Sequence, residues 1–243
     1  VEIIAPGIIL AVRPFGEGDA VAAVFTEEYG IYRGLAKGAQ ARGKAAIWQP
    51  GNLVEMRWLA RLSEQLGNIS AEMVHPAAAL AMDDAWALAI LTSVCAVAEG
   101  ALPEREAHPA VLRGLLHVVA HLGESAALLA EVVRWELGVL RELGFGLDLS
   151  ACAVTGAREG LGYVSPRTGR SVSAAAAGLW KERLLVLPGF LTTGGAGDAA
   201  EWADGLKLTG RFLARDVFGG QNKPLPEARA RLEAKAWEAG RAG

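Results

Sequence analysis

The sequence predicts an α+β chain: a five-stranded β-barrel over residues 1–76, then a mainly α-helical domain over 77–243 that carries a small β-hairpin and loop region at 145–198. Three observations lead there. Apolar residues alternate in period two before His75-Pro76 and recur at three- and four-residue spacing after it. Turn signals cut the first part into five short segments, and closing them into a barrel removes the exposed edges. Finally, 243 residues at 52% apolar content can bury a substantial core, while a net charge of −3 with positive mean hydropathy is the opposite of a disordered composition.

The strands are expected near 7–14, 19–26, 30–37, 52–60 and 66–74. Ile8, Leu10 and Val12 alternate with Ile9, Ala11 and Arg13, and Val54, Met56 and Trp58 alternate with Glu55, Arg57 and Leu59. Phe15-Gly16-Glu17-Gly18-Asp19, Glu28-Tyr29-Gly30 and Gln49-Pro50-Gly51-Asn52 supply the turns. Helices are expected over 77–99, 109–122, 126–143, 199–218 and 226–239, with Pro109 in a first turn, Ser125 as an N-cap, and Gly123 and Gly144 as C-terminal stops. The stretch from Tyr163 to Val172 reads as two short strands about a turn, and 192–198 as a Gly/Thr-rich loop.

Two cysteines, Cys95 and Cys152, allow no disulfide framework, so a reducing compartment is expected. The most apolar run, 85–98, has 14 residues where a membrane span needs about 20. It reads as a buried helix with Cys95 in the core. No signal-peptide pattern opens the chain, and cytoplasmic localisation is the expectation.

A search for catalytic constellations returns little. The loop Thr193-Gly194-Gly195-Ala196-Gly197-Asp198 lacks the Lys-Ser/Thr of a phosphate-binding loop and the spacing of a dinucleotide turn. His117 and His121, four apart, with His108 nearby in sequence, lack a further ligand at metal-binding spacing; a metal-dependent hydrolase built on that helix is the weaker alternative. Glu104-Arg105-Glu106 reads as solvated surface. No catalytic residue, cofactor or metal is assigned.

The charge distribution is more informative than its sum. Residues 1–80 hold 7 Lys/Arg against 8 Asp/Glu, 81–204 hold 9 against 15, and 205–243 hold 8 against 4. Within the first part, Arg33, Lys37, Arg42, Lys44, Arg57 and Arg61 are opposed locally by Glu55 alone, and Lys37, Arg42 and Lys44 bracket a Gly/Ala loop suited to lying along a phosphate backbone. Tyr32 and Trp48 flank that loop and could stack on bases, the alternative being two core aromatics. On the fourth helix Lys207, Arg211 and Arg215 form one stripe, facing solvent or a ligand. On the third, Arg134, Gly138 and Arg141 share a face, two cations with a gap between them that could hold a carboxylate beside an apolar group; surface pairing of Arg134 with Glu131 is the plainer reading.

The segment Arg134-Trp135-Glu136 running into Leu143-Gly144-Phe145-Gly146-Leu147-Asp148-Leu149-Ser150-Ala151-Cys152 resembles the RecO family of bacterial recombination mediators. Gly7-Ile8-Ile9-Leu10 with Val12-Arg13 and Gly16-Glu17, Lys37-Gly38 followed by Gln49-Pro50-Gly51, and Lys223-Pro224-Leu225-Pro226 with Arg229 agree with it in the right order. The resemblance implies an N-terminal OB-fold DNA-binding domain and a helical C-terminal domain. It implies a non-enzymatic protein that binds single- and double-stranded DNA without sequence specificity, anneals complementary strands and assists RecA on strands coated by the single-strand-binding protein SSB, usually with RecR, in the bacterial cytoplasm at the nucleoid. Arg33, Lys37, Arg42, Lys44 and Arg57, with Lys207, Arg211 and Arg215, become DNA-contact candidates. Arg134 and Arg141 become partners for the acidic, Phe-ended SSB tail. The alternative is a protein-interaction adaptor that binds DNA weakly. Many relatives carry a four-cysteine zinc site where this chain has Cys152, Thr155, Ser173 and Ala176, so no zinc is expected: a structural site needs four N/S ligands. Tyr163, Val164 and Val172 are expected to hold the hairpin by packing.

Overall fold

The computed structural model describes residues 1–62 and 64–242. They fall into two compact units, Val1–Gly123 and Glu124–Gly243.

In the first unit, β1 (Glu2–Phe15), β2 (Asp19–Thr26), β3 (Gly30–Ala36), β4 (Leu53–Leu59) and β5 (Asn68–His75) close a barrel in the order β1-β2-β3-β5-β4. Four strands lie within two residues of their expected bounds. β1 starts earlier than expected because it pairs twice: Glu2 to Ile8 run antiparallel to β4, and Gly7 to Phe15 antiparallel to β2. Gly7 and Ile8 are the crossing point between the two partners. A Cβ on Gly7 would come 2.7 Å from the Phe25 carbonyl oxygen, so only glycine lets β1 and β2 approach there. The interior is filled by Ile9, Val24, Met56, Trp58 and Ile69, with small Ala20, Ala22 and Ala36 between them. Burial of each large side chain contributes about 1.5–3 kcal/mol. The Trp58 indole N–H, enclosed with the ring, donates to the carbonyls of Arg33 at 2.9 Å and Leu66 at 3.0 Å.

The first expected helix is two: α1 (Ala77–Ala81) and α2 (Ala85–Ala101). The break is an N-cap, since the Asp84 carboxylate accepts from the N–H groups of Trp86 at 2.7 Å and Ala87 at 3.2 Å. Cys95 on α2 is buried, as expected, and burial pushes its thiol up to about 12. The third helix, α3 (Pro109–Ala120), starts on its proline. The expected stop at Gly123 is overturned, for the chain continues through it as a 3₁₀ turn over Leu122–Leu128.

In the second unit, α4 (Leu129–Glu142) follows that turn, and the Ser125 side chain, expected as its cap, lies outside the described residues. Gly144 closes α4 with φ of +85°. The hairpin strands β6 (Leu161–Val164) and β7 (Ser171–Ser173) form with a third, β8 (Leu185–Val186), in the order β7-β6-β8. A two-residue strand is too short to show a period. After α5 (Ala174–Ala177), α6 (Ala199–Phe212) runs into π-helical turns over Leu213–Phe218, and α7 (Glu227–Ala242) packs on it.

Candidate nucleic-acid interface

The barrel brings a cation of β4 to two on the β3–β4 connection. Lys37 and Lys44, on the β3–β4 connection, and Arg57, on the outer face of β4, line one cleft of about 450 Å³ with Trp48, Leu59 and Asn68. The connection is built rather than loose. Gly38 N–H donates to Asp19 Oδ1 at 2.7 Å, Gln40 Nε2 to the Asp19 carbonyl at 2.8 Å, and Asn52 Nδ2 to the carbonyls of Ala46 at 2.9 Å and Ile47 at 3.1 Å. Lys44 Nζ reaches back to the Lys37 carbonyl at 3.3 Å. Arg42 is exposed on the same connection. Arg57 Nε lies 2.5 Å from Glu2 Oε1, a pair more than 40% exposed at both ends and so worth little. Water or a phosphate can replace that partner at small cost.

Arg33 does not join this cleft. Its side chain is 20% exposed and clamped by Glu99 at 2.7 Å and Glu104 at 2.5 Å, which fasten β3 to the end of α2 and the segment after it. That segment is exposed, as expected, and it is also attached to the barrel: Glu104 bridges to Ile31, and the Arg105 guanidinium lies 5.4 Å from the Tyr32 ring centre. Of the two readings of Tyr32 and Trp48, stacking platforms or core aromatics, the structure gives the second. Tyr32 packs edge-on against Trp58 with centres 5.0 Å apart, and Trp48 is 6% exposed in the barrel core. Arg61 is exposed but does not line the cleft.

The Lys207/Arg211/Arg215 stripe is uneven. Lys207 is exposed, with Nζ 5.8 Å from the Trp237 ring centre, beside a cleft between α6 and α7; Arg211 is exposed. Arg215 is committed: its guanidinium stacks on Phe212 at 4.9 Å, pairs with Asp216 at 2.6 Å, and donates to the carbonyls of Pro166 and, at 3.2 Å, Arg167. It ties the hairpin turn to the π-helical turns of the same unit.

On α4, Arg134 is partly engaged. Nη1 pairs with Glu131 at 2.5 Å, Nη2 donates to the carbonyls of Phe190 at 3.0 Å and Gly195 at 2.5 Å, and the group lies 5.2 Å from the Phe190 ring centre. A Cβ on Gly138 would meet nothing within 4 Å, so the gap between Arg134 and the exposed Arg141 is open. The His117 and His121 rings lie with centres 4.3 Å apart and planes tilted by 45°, and His108 is buried. Among the described residues no group of three or more His, Cys, Asp or Glu could hold a metal ion.

The four hairpin positions do converge, with different chemistry. Cys152 Sγ accepts from the Ser173 N–H at 3.2 Å, and Ala176 N–H donates to Ser173 Oγ at 3.3 Å. Hydrogen bonds from Ser173 and then Thr155 pull the Cys152 thiol down to about 6, although the residue is buried. Cys152, Val172 and Ala177, with Tyr163, make a small apolar cluster. Val164 is fully buried.

One element escaped sequence reasoning. Glu136 and Arg229 are both fully buried and pair twice, Nε to Oε1 at 2.5 Å and Nη2 to Oε2 at 3.0 Å. Arg229 also donates to the Leu206 carbonyl at 2.7 Å and pairs with Glu233 at 3.0 Å; Thr209 Oγ1 donates to Glu136. The network ties α4, α6 and α7 together.

Two family models match the chain, Recombination protein O N terminal over residues 2–77 and Recombination protein O C terminal over residues 82–225. The chain belongs to the RecO family. Curated relatives called DNA repair protein RecO are similar over nearly full length. That of Granulibacter bethesdensis is 56% identical over 95% of this chain and 94% of its own. Those of Acidiphilium cryptum and Gluconacetobacter diazotrophicus are 54% and 50% identical over at least 92% of each chain. The five-stranded barrel is thus the OB-fold of the RecO N-terminal region. Among the described residues no helix is long and apolar enough to cross a membrane.

Proposed function

We propose that this RecO family member binds single- and double-stranded DNA without sequence specificity, anneals complementary strands, and assists RecA on SSB-coated DNA, acting with RecR in the bacterial cytoplasm at the nucleoid and without enzymatic turnover. The observation that carries the reading is the convergence of Lys37, Lys44 and Arg57 on one barrel cleft, with Arg42 exposed on the same connection. Such a group screens phosphate repulsion between two strands and carries no base-reading geometry, which is what annealing requires. Residues 1–76 supply this DNA-binding module. Arg33 is left out of the contact set because Glu99 and Glu104 already neutralise it. Lys207 and Arg211 are retained as a further DNA path on the helical unit, and Arg215 is retained only as its scaffold. Arg134 and Arg141, with open space at Gly138 between them, receive the carboxylates of the SSB tail, which displace the Gly195 carbonyl from Arg134.

Four phosphate contacts on single-stranded DNA give a log–log salt slope of about −2.8, or roughly a 50-fold loss of affinity between 50 and 200 mM salt. Replacing Arg42 and Lys44 by Ala lowers the slope to about −1.4 and the loss to roughly 7-fold. An unchanged affinity and slope in that double variant removes the proposed barrel site and leaves the adaptor reading.

A further inference from the structure

We propose that residues 178–183, at the edge of the hairpin region, form a base-stacking site for single-stranded DNA, with Trp180 as the platform and Lys181 and Arg183 as its phosphate partners. The proposal rests on the DNA-binding reading above but concerns residues outside every contact set named so far.

Leu179 is 100% exposed and Trp180 62% exposed, side by side on one 3₁₀ turn. Single exposed apolar residues are ordinary. What sets this pair apart is its surroundings. The Arg183 guanidinium lies 5.2 Å from the Trp180 ring centre, while the ring stays largely open to solvent. Lys181 Nζ stands 5.9 Å from the ring centre of Tyr163 on β6. Gly178, at φ of +45°, turns the chain outward from α5, whose Ala177 is buried against Cys152 and Val172. The turn is thus mounted on a packed base.

Charge at the turn itself favours a polyanion: Lys181 and Arg183 stand against Glu182 alone, inside a stretch, 81–204, that holds 9 basic against 15 acidic residues. An acidic peptide would satisfy the cations alone. An open indole backed by a guanidinium selects a flat π partner as well, and unpaired bases supply both. Duplex DNA hides its base faces, so the turn discriminates in favour of single strands.

The test uses the full chain and an oligonucleotide of thymidines with 5-iodouracil at several positions. Ultraviolet irradiation followed by peptide mapping is expected to place a cross-link on Trp180. Trp180→Ala is expected to weaken single-strand binding by between about 5-fold and about 150-fold, the loss of one stacked base, while Trp180→Phe retains most of the affinity and duplex binding is unchanged. If Trp180→Ala binds like the parent and no cross-link maps to the turn, while Arg42→Ala/Lys44→Ala still weakens binding, this site is overturned and the barrel reading stands. If the parent chain binds neither oligonucleotide nor duplex, both fall. If Trp180→Ala leaves DNA binding intact and loses an acidic peptide instead, the turn is a protein site and the proposal is wrong.

Discussion

Replacing Arg229 by Met removes the centre of the buried network while nearly keeping its volume. Glu136, 0% exposed, would then keep only the Thr209 hydroxyl as a partner for its two oxygens. Leaving one member of a buried ion pair uncompensated costs about 3–5 kcal/mol, against a total stability of roughly 5–15 kcal/mol for a domain. For a unit of this size that corresponds to a fall in melting temperature of roughly 10–25 °C. Glu233, 34% exposed, can turn to water and adds little. The paired replacement Arg229→Met/Glu136→Leu removes both charges, and Thr209 still donates to the Gly205 carbonyl at 3.1 Å, so most of the loss should be recovered. Calorimetry on these two variants and on Glu136→Leu alone reads this directly. A single variant that melts within about 2 °C of the parent, or a double variant that melts below both singles, would refute the view that the network is a compensated pair holding α4, α6 and α7.

Other expectations follow from the same geometry. Arg33→Ala should cost roughly 1–2 kcal/mol by freeing Glu99 and Glu104, yet leave the salt slope of single-strand binding unchanged, since Arg33 is held by those carboxylates and lies outside the proposed contact set; equilibrium unfolding and fluorescence anisotropy separate the two. Arg134→Ala should weaken an acidic, Phe-ended peptide by roughly 10- to 100-fold in isothermal titration, with Arg141→Ala losing less, and an unaltered affinity would take the SSB tail off α4. Cys152 has a folded value of about 6, below that of a free thiol. The thiolate therefore stabilises the fold above the free-thiol value, progressively less as pH falls towards 6, and not below it. The stability gap between parent and Cys152→Ala should accordingly widen from pH 6 to pH 9, as read by unfolding at each pH; a gap that narrows over that range contradicts the hydrogen-bonded thiolate.

The barrel was legible because half-buried strands alternate and the turns between them are rich in Gly, Pro and Asn. Where sequence reading erred, competing local physics won. Asp84 capped a helix inside an unbroken helical period, and Gly123 was absorbed into a 3₁₀ turn. The site was only half legible. Lys37, Arg42 and Lys44 sit together on one connection, and Arg57 joins two of them through the strand order of a closed barrel. Arg33 counts as a cation in sequence, but its partners lie 66 and 71 residues away, beyond any local pattern. Glu136 and Arg229 are 93 residues apart, and nothing in their neighbours says they meet. Trp48 illustrates the same limit: an aromatic next to lysines looks like a stacking platform until the barrel closes over it.

Strand annealing, followed on complementary oligonucleotides both bare and coated with SSB across a range of salt, tests the account at its centre. The full chain is expected to accelerate annealing of both substrates, with the gain falling as salt rises and reduced in Arg42→Ala/Lys44→Ala. Annealing of neither substrate above the spontaneous rate contradicts it.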